Sequence, residues 1–158
     1  MAKFLEPDGV FQNFTQITPE LLSEKNIRGI LTDLDDTLVG HNHPVPPDAL
    51  TAWLKNLKNA GIRVCIISNN RRRRVEPFAR QLGVGFFCNA FKPRPYFYLK
   101  GLEVLNVPKE ECVVIGDQLF TDVKGAKRCG IRAFLVDPVG EETTLFIKIK
   151  RYFEKREK

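Results

Sequence analysis

The stretch LTDLDDTLVG, residues 31–40, places three carboxylates within four positions, directly after an apolar run that is typical of a buried strand. Asp33, Asp35 and Asp36 repel one another at neutral pH, and carboxylates are rarely buried without a partner. This crowding at a strand end indicates that a positive group belongs among them. For the stretch taken alone, a turn or helix cap is an equally ordinary interpretation, since Asp is common in both.

The overall composition is that of an ordinary globular protein. Of the 158 residues, 43% are hydrophobic and 28% are charged, which suits one domain with a sizeable core. No apolar run reaches the roughly 18 residues of a membrane span, and the N-terminus lacks a signal-peptide core, so we expect a cytoplasmic protein. The four cysteines lack metal-ligand spacing, so we expect reduced thiols and no zinc site. They are Cys65, Cys88, Cys112 and Cys129.

The chain is basic, with a formal net charge of +6 and a pI of about 9.3. Such an excess favours an anionic partner, which can be nucleic acid, acidic lipid or a phosphorylated substrate. The four arginines Arg71–Arg74 either form a solvated helix face or gather an anionic substrate. Likewise, His41 and His43 belong either to an exposed polar turn or to a substrate contact.

Short apolar runs alternate with helical patterns along the chain. Because these runs are rich in Val, Ile and Leu without alternation, they predict a five-stranded parallel sheet with helices on both faces. The predicted strands are 28–34, 63–68, 85–90, 112–116 and 131–136. The predicted helices are 18–26, 50–57, 75–82, 95–105 and 120–129, and Pro77 either kinks the third or restarts it. We expect residues 1–27 to be a helical lead-in and 141–158 a basic helix of one domain, 1–158.

Polar side chains follow four successive strands, in the sequences DLDDT, SNN, FKP and GDQLFTD. Ligands of parallel sheets bind beyond the carboxyl ends of the strands, so we expect these groups to meet at one edge. Carboxylates gathered there suit Mg²⁺. An ionised Asp33 beside a metal and a lysine can attack phosphorus, and Asp35 can protonate the leaving alkoxide.

These motifs resemble those of haloacid dehalogenase (HAD) superfamily phosphatases. DLDDT is similar to the first motif DxDxT, Ser68 to the second-motif Ser or Thr, Lys92 to the third-motif Lys, and GDQLFTD to the fourth motif GDxxxxD. The resemblance spans about residues 28–137. In the sequence of its motifs and in its length, the chain most resembles the YqeG-type branch of HAD subfamily IIIA. That branch is related to a mitochondrial phosphatidylglycerophosphate phosphatase.

The resemblance implies a three-layer Rossmann-like HAD fold and a Mg²⁺-dependent phosphomonoester hydrolase. Asp33 would be the nucleophile, with Asp35 as general acid/base and Lys92 as the third catalytic residue. The implied metal ligands are the carboxylates of Asp33 and Asp117 and the backbone carbonyl of Asp35, with Asp122 in support. The implied phosphate-binding residues are Ser68, Asn69 and Lys92.

The spacing of the motifs leaves no room for a cap domain. Only 35 positions separate Asp33 from Ser68, and only 24 separate Ser68 from Lys92. An open site favours a bulky or surface-bound substrate, such as a lipid headgroup in phospholipid metabolism, or a second subunit acting as a lid. The alternative function is a HAD-fold module that binds nucleic acid or the ribosome through its basic surface. We regard this as the weaker hypothesis, because RRRRV lacks the aromatic residues that stack on single strands.

The C-terminal sequence TLFIKIKRYFEKREK, read as a helix, has an apolar stripe flanked by cations. Its apolar residues are Leu145, Phe146, Ile149, Tyr152 and Phe153. Two interpretations remain open. The stripe packs on the protein's own sheet, or it enters the headgroup region of an anionic membrane while the cations contact acidic lipid.

Overall fold

The computed structural model describes residues 5–41 and 43–139. They contain a six-stranded, all-parallel sheet in the order β1-β6-β5-β2-β3-β4. The strands are β1 (Gly9–Phe11), β2 (Gly29–Thr32), β3 (Arg63–Ile67), β4 (Gly85–Phe87), β5 (Cys112–Gly116) and β6 (Arg132–Val136). The five predicted strands are present, and the predicted strand number is wrong by one.

The additional strand, β1, lies in the segment that was predicted to be only a helical lead-in. It pairs in parallel with β6 at the edge of the sheet, with Gly9 opposite Phe134. At three half-buried residues it is too short to show a strand period, which explains why the sequence pattern did not predict it. The predicted basic helix 141–158 lies outside the described residues.

The helices agree closely with the sequence pattern. They are α1 (Pro19–Glu24), α2 (Asp48–Asn59), α3 (Arg72–Leu82), α4 (Tyr96–Leu105) and α5 (Lys124–Arg128). The Thr18 hydroxyl caps α1 by accepting a hydrogen bond from the backbone N–H of Leu21, at 3.1 Å. Helix α3 continues through Pro77, so the helix does not restart there.

Two apolar cores lie on opposite faces of the sheet, so the architecture is the three-layer α/β type. Buried side chains of α1, α2 and α3 belong to one core, and those of α4 and α5 belong to the other. The only tryptophan, Trp53, packs its ring against Phe14 with centroids 5.0 Å apart. Its indole N–H donates to the backbone carbonyl of Ile17 at 2.8 Å. This pair of contacts fixes the N-terminal segment against α2.

The described part of the chain shows no inserted cap domain, in agreement with the motif spacing. Within the same residues, no helix has the length and apolar character needed to cross a bilayer. All four cysteines are free thiols, and burial raises the pKa of both Cys65 and Cys112 to about 12. These two thiols are therefore protonated and inert, as expected of reduced core cysteines.

Candidate active site

The carboxyl ends of the strands meet around one cavity of about 340 Å³. Asp33 follows β2 and its backbone N–H donates to Ile115 of β5 at 2.9 Å, which continues the sheet hydrogen bonding to the first catalytic candidate. Ser68 follows β3, and Lys92 lies in the loop after β4. These three side chains line the cavity, so the predicted convergence at one sheet edge is confirmed.

Among the described residues, three carboxylates lie close enough together at this edge to share one cation. One oxygen each of Asp33, Asp117 and Asp122 lies within 4.8 Å of the other two. The buried hydroxyl of Thr37 is 3.2 Å from Asp33 Oδ2 and 3.0 Å from Asp117 Oδ1, and it donates to one of them. Hard oxygen donors at this spacing fit a divalent cation of the Mg²⁺ or Ca²⁺ type.

The electrostatics of the group support the same conclusion. Burial and the negative charges of Asp33 and Asp122 raise the pKa of Asp117 to about 8. Burial raises the pKa of Asp122 to about 6, although the ammonium of Lys92 acts in the opposite direction. Crowded carboxylates with raised pKa values are costly to ionise, and a bound cation would remove that cost.

In the part of the chain that the structure describes, Lys92 is the one ammonium inside this group. Its Nζ lies 3.0 Å from Asp33 Oδ1 and 2.7 Å from Asp122 Oδ1, and its side chain is 4% exposed. Burial lowers the pKa of Lys92, but the carboxylates of Asp122 and Asp33 outweigh burial and raise it above its ordinary value. Lys92 is therefore charged, and it orients the carboxylate of Asp33.

The side chains of Ser68 and Asn69 support this arrangement from β3. Asn69 Oδ1 accepts from the backbone N–H of Lys92 at 2.7 Å, and Asn69 Nδ2 donates to the Lys92 carbonyl at 3.5 Å. The buried Ser68 hydroxyl accepts from the backbone N–H of Asn70 at 3.0 Å. Asn69 therefore positions the lysine loop, and the phosphate contacts of Ser68 and Asn69 stay predictions.

The carboxylate of Asp35 is held by two side chains from the β3–α3 region. Its Oδ2 accepts from Asn70 Nδ2 at 2.9 Å, and its Oδ1 accepts from Arg74 Nε at 3.0 Å. Arg74 also donates to the backbone carbonyls of Gly40 and His43. Arg74 thus joins Asp35 to the loop that follows the first motif.

We expect Arg74→Ala to lower kcat by about 100-fold with a smaller change in KM, because Asp35 loses its orientation while substrate contacts remain. Arg74→Lys should recover only part of the loss, since one ammonium cannot replace a guanidinium fork. The exposed neighbour Arg73→Ala is the matched control. Steady-state kinetics on one phosphate ester measure all three variants, and equal kcat values would contradict the role.

The other polar residues near the site have local partners. His41 Nδ1 lies 3.2 Å from Asp36 Oδ1, and His43 Nδ1 lies 2.7 Å from the Val45 carbonyl oxygen. Both histidines are exposed, which supports the polar-turn interpretation. Asp36 has a φ of +64° in this turn, a conformation that Asp tolerates better than most residues.

Three features of the site were not predicted: the contacts of Thr37 with two carboxylates, the contacts of Asn70 and Arg74 with Asp35, and the backbone conformation after Asp117. Residues Leu119–Val123 form a π-helical turn, in which the Val123 N–H donates to the Gln118 carbonyl at 3.2 Å. This turn brings Asp122 back over Gly116, where a side-chain Cβ would overlap it. Two of these features had a signal in the sequence. Thr37 is the T of DxDxT, and Gly116, over which Asp122 packs, is the G of GDxxxxD.

Comparisons with known proteins agree with this geometry. Residues 11–130 match the family model for haloacid dehalogenase-like hydrolases. The chain is 42% identical over 156 residues to "Probable phosphatase YqeG" of Bacillus subtilis, covering 99% of this chain and 91% of that protein. It is 28% identical over 108 residues to a glyceraldehyde 3-phosphate phosphatase of Pyrococcus furiosus, covering 63% of this chain and 45% of that protein.

A solved structure has the same fold. It is the cobalt-bound deoxy-D-mannose-octulosonate 8-phosphate phosphatase of Haemophilus influenzae, with a TM-score of 0.57 at 22% identity over 73% of this chain and 70% of that one. A parallel sheet with this carboxylate and lysine site at its carboxyl edge defines a HAD-type phosphatase. The chain belongs to the haloacid dehalogenase-like hydrolase family. Its YqeG-type resemblance extends over the whole chain, whereas subfamily IIIA and the phosphatidylglycerophosphate link stay predictions.

Proposed function

We propose that the protein is a Mg²⁺-dependent phosphomonoester hydrolase that acts through an aspartyl-phosphate on Asp33. The observation that carries the proposal is the position of the Asp33 carboxylate. It contacts the buried ammonium of Lys92 at 3.0 Å. It also lies close enough to the carboxylates of Asp117 and Asp122 for the three to bind one cation. A carboxylate in this position is placed to attack the phosphorus of a bound phosphate ester.

In the first step Asp33 attacks phosphorus and the bond to the ester oxygen breaks, while Asp35 gives its proton to the leaving alkoxide. In the second step Asp35 takes a proton from water, which attacks the same phosphorus and releases inorganic phosphate from Asp33. Lys92 and Ser68 stabilise the charge on the phosphoryl oxygens. When bound, the cation would supply further charge neutralisation at the phosphoryl group. Its ligands would be Asp33, Asp117 and the backbone carbonyl of Asp35, with Asp122 beside them.

Metal binding has a consequence for stability that can be measured without activity. At about 100 times its Kd, Mg²⁺ should stabilise the fold by about 2.7 kcal/mol, or raise Tm by about 5–10 °C. The shift should be larger at pH 8 than at pH 5, because protons compete for the carboxylates at the lower pH.

The pH dependence of the metal-free stability follows from Asp117, whose pKa rises on folding from 3.8 to about 8. The folded state then binds a proton more tightly than the unfolded state, so metal-free stability falls as pH rises through this window. Asp117→Asn should abolish the response to Mg²⁺ and weaken the pH dependence, of which a part remains because burial also raises the pKa of Asp122 to about 6. Thermal unfolding with and without Mg²⁺ measures each effect, and an equal response of the variant would exclude Asp117 as a ligand.

The uncapped site suits a bulky phosphate ester, and phosphatidylglycerophosphate is the substrate that the family resemblance puts first. A phosphate-release screen over lipid, sugar, nucleotide and phosphopeptide substrates with Mg²⁺ tests the proposal, with Asp33→Asn as the inactive control. Release from at least one class is expected. Equal release by the variant, or none from any substrate, would refute the proposed activity.

The nucleic-acid alternative gains no support from two of the four arginines of the RRRR run, which have local partners. Arg72 pairs with Glu76, and Arg74 is directed to Asp35. We further propose a cytoplasmic location and a homo-oligomer. We also propose contact with an anionic membrane through residues 141–158. Of these, membrane contact would suit an open site acting on a lipid headgroup.

A further inference from the structure

Helix α4 differs from α2 and α3 in the side that it turns to solvent. The exposed positions of α2 and α3 are mostly charged or polar. In α4, whose sequence is YFYLKGLEVL, only Lys100 and Glu103 are charged, and apolar residues occur on every side. A helix that is hydrophobic all round is normally buried all round. The composition of α4 therefore indicates that its outer side is covered.

The outer side of α4 exposes three large side chains. Tyr96 is 61% exposed, Leu99 50% and Val104 56%, and at 3.6 residues per turn they fall within an arc of about 140°. The helix cannot rotate to bury them, because its inner side packs closely on the sheet. A Cβ added to Gly101 would lie only 2.5 Å from the side chain of Leu31 in β2. The outer surface, called the α4 face below, consists of Tyr96, Leu99, Lys100, Glu103 and Val104.

The α4 face continues to an edge of the sheet. Val104 lies beside Gly85 of β4, and its Cγ1 is 3.7 Å from the position of a Cβ added there. Within the described residues β4 pairs with β3 alone, so its other side is a free strand edge. Exposed apolar patches mark interaction sites, and proteins usually protect free strand edges. Both observations indicate a protein partner on this side of the molecule.

The charges of the α4 face are balanced. Lys100 Nζ lies 3.7 Å from Glu103 Oε2 and 5.7 Å from the centre of the Tyr96 ring. With one cation and one anion, the face has no net charge to attract a nucleic acid or an anionic membrane. Residues 141–158, with six basic and four acidic side chains, would leave cations unmatched on it.

A second copy of the chain matches the α4 face in charge. In a twofold-symmetric interface, residue i contacts residue j of the partner while j contacts the partner's i. Lys100 of each chain can therefore pair with the partner's Glu103, and both contacts between the chains are attractive. The apolar side chains of the two faces would leave water together.

We propose that the α4 face is the interface of a twofold-symmetric dimer of this chain. Tyr96, Leu99 and Val104 are buried in this interface, and Lys100 of each chain pairs with the partner's Glu103. This proposal names the surface of the homo-oligomer proposed above and rests on that part of the proposed function. It does not depend on the phosphatase activity.

The first test is sedimentation velocity of the full chain over a concentration range of about a hundredfold, which covers two decades of Kd. We expect a dimer of two 18.1 kDa chains. Leu99→Glu/Val104→Glu would bury unpaired carboxylates in the interface, so Kd should rise at least about 100-fold. Val45→Glu, at an exposed valine outside α4, is the matched control and should keep the wild-type Kd. A wild-type monomer throughout the range, or an equal Kd for the double variant, would overturn the proposal.

Charge reversal tests whether the partner is a second copy. A symmetric dimer contains the Lys100–Glu103 pair twice, so Lys100→Glu alone or Glu103→Lys alone replaces two attractive contacts with two repulsive ones. Each single variant should raise Kd by about tenfold. Lys100→Glu/Glu103→Lys restores opposite charges and should return Kd to within about threefold of wild type. A double variant that dimerises no better than the single variants would overturn the proposal.

An equimolar mixture of the two single variants gives a further measurement. The α4 face has two anions in Lys100→Glu and two cations in Glu103→Lys, so each variant repels itself and attracts the other. With one variant isotope-labelled, native mass spectrometry should find mixed dimers in excess of the half that random pairing gives. A mixed share of one half or less would overturn the proposal.

Phosphate release from the same samples separates the dimer from the proposed activity. No residue of the α4 face is among those that line the catalytic cavity. Asp33→Asn should therefore be inactive and should still dimerise with the wild-type Kd. A wild-type monomer that releases phosphate would overturn the dimer alone, and a dimer that hydrolyses no phosphate ester would overturn the phosphatase alone.

Discussion

Asp33→Asn should lower kcat for phosphate release by about 10⁴-fold or more, the scale seen when a catalytic nucleophile is removed. The amide is nearly the same size as the carboxylate but cannot attack phosphorus, so the aspartyl-phosphate does not form. The fold should persist, because Lys92 keeps its 2.7 Å contact with Asp122 and one of three crowded negative charges is gone. Thermal unfolding should therefore show no loss of Tm in metal-free buffer.

The matched control is Asp36→Asn, three residues along the same stretch. Asp36 has a φ of +64°, which Asn also tolerates, and it contacts His41 rather than Lys92. We expect its kcat to stay within about threefold of wild type, as for surface changes away from buried networks. Mass spectrometry of acid-quenched wild-type protein should detect a phosphoryl group on Asp33. Residual activity of Asp33→Asn above one part in a hundred would show that another group attacks.

Gly116→Ala should lower both stability and activity more than any other single methyl addition at the site. The added Cβ would overlap the side chain of Asp122, which is fully buried against it. Overpacking costs about 1–3 kcal/mol. Displacing Asp122 from Lys92 leaves the buried carboxylate of Asp122 without its charged partner and costs about 3–5 kcal/mol. Because Lys92 also orients Asp33, kcat should fall by at least about 100-fold.

Gly40→Ala is the control for the Gly116 change. A Cβ at Gly40 meets no atom within 4 Å, although Gly40 lies in the loop that Arg74 contacts. Its effect on unfolding should be within about 0.5 kcal/mol, as for other surface substitutions. Chemical denaturation measures both variants. If Gly116→Ala unfolded at the wild-type denaturant midpoint, Asp122 would not be held as tightly as its contacts indicate.

The parts of the fold that could be predicted are those in which one physical rule acts alone. Apolar runs without alternation predicted five parallel strands, and parallel strands bring their carboxyl ends together, so the meeting of Asp33, Ser68 and Lys92 followed. Helical patterns between these runs predicted the five helices. In each case the information is local in sequence.

The features that were not predicted depend on contacts between distant segments. β1 is stabilised by pairing with β6, which lies more than a hundred residues away along the chain. The sequence RRRR does not distinguish Arg74 from its three neighbours, because only the folded structure shows that Arg74 contacts Asp35. The π-helical turn that returns Asp122 to Lys92 was not predicted, because the pattern of apolar residues does not distinguish a π-helical turn from an α-helical one.

The solitary tryptophan determines what intrinsic fluorescence can report. Trp53 lies in the core on the α2 face, held by Ile17 and Phe14, and it does not line the catalytic cavity. Its emission will therefore report the docking of the N-terminal segment on α2. Ligand binding at the carboxyl edge of the sheet will leave the emission nearly unchanged. A fluorescence titration with substrate is consequently a poor assay for this protein, whereas fluorescence-detected unfolding is a direct reporter of whether the N-terminal segment detaches before the sheet opens.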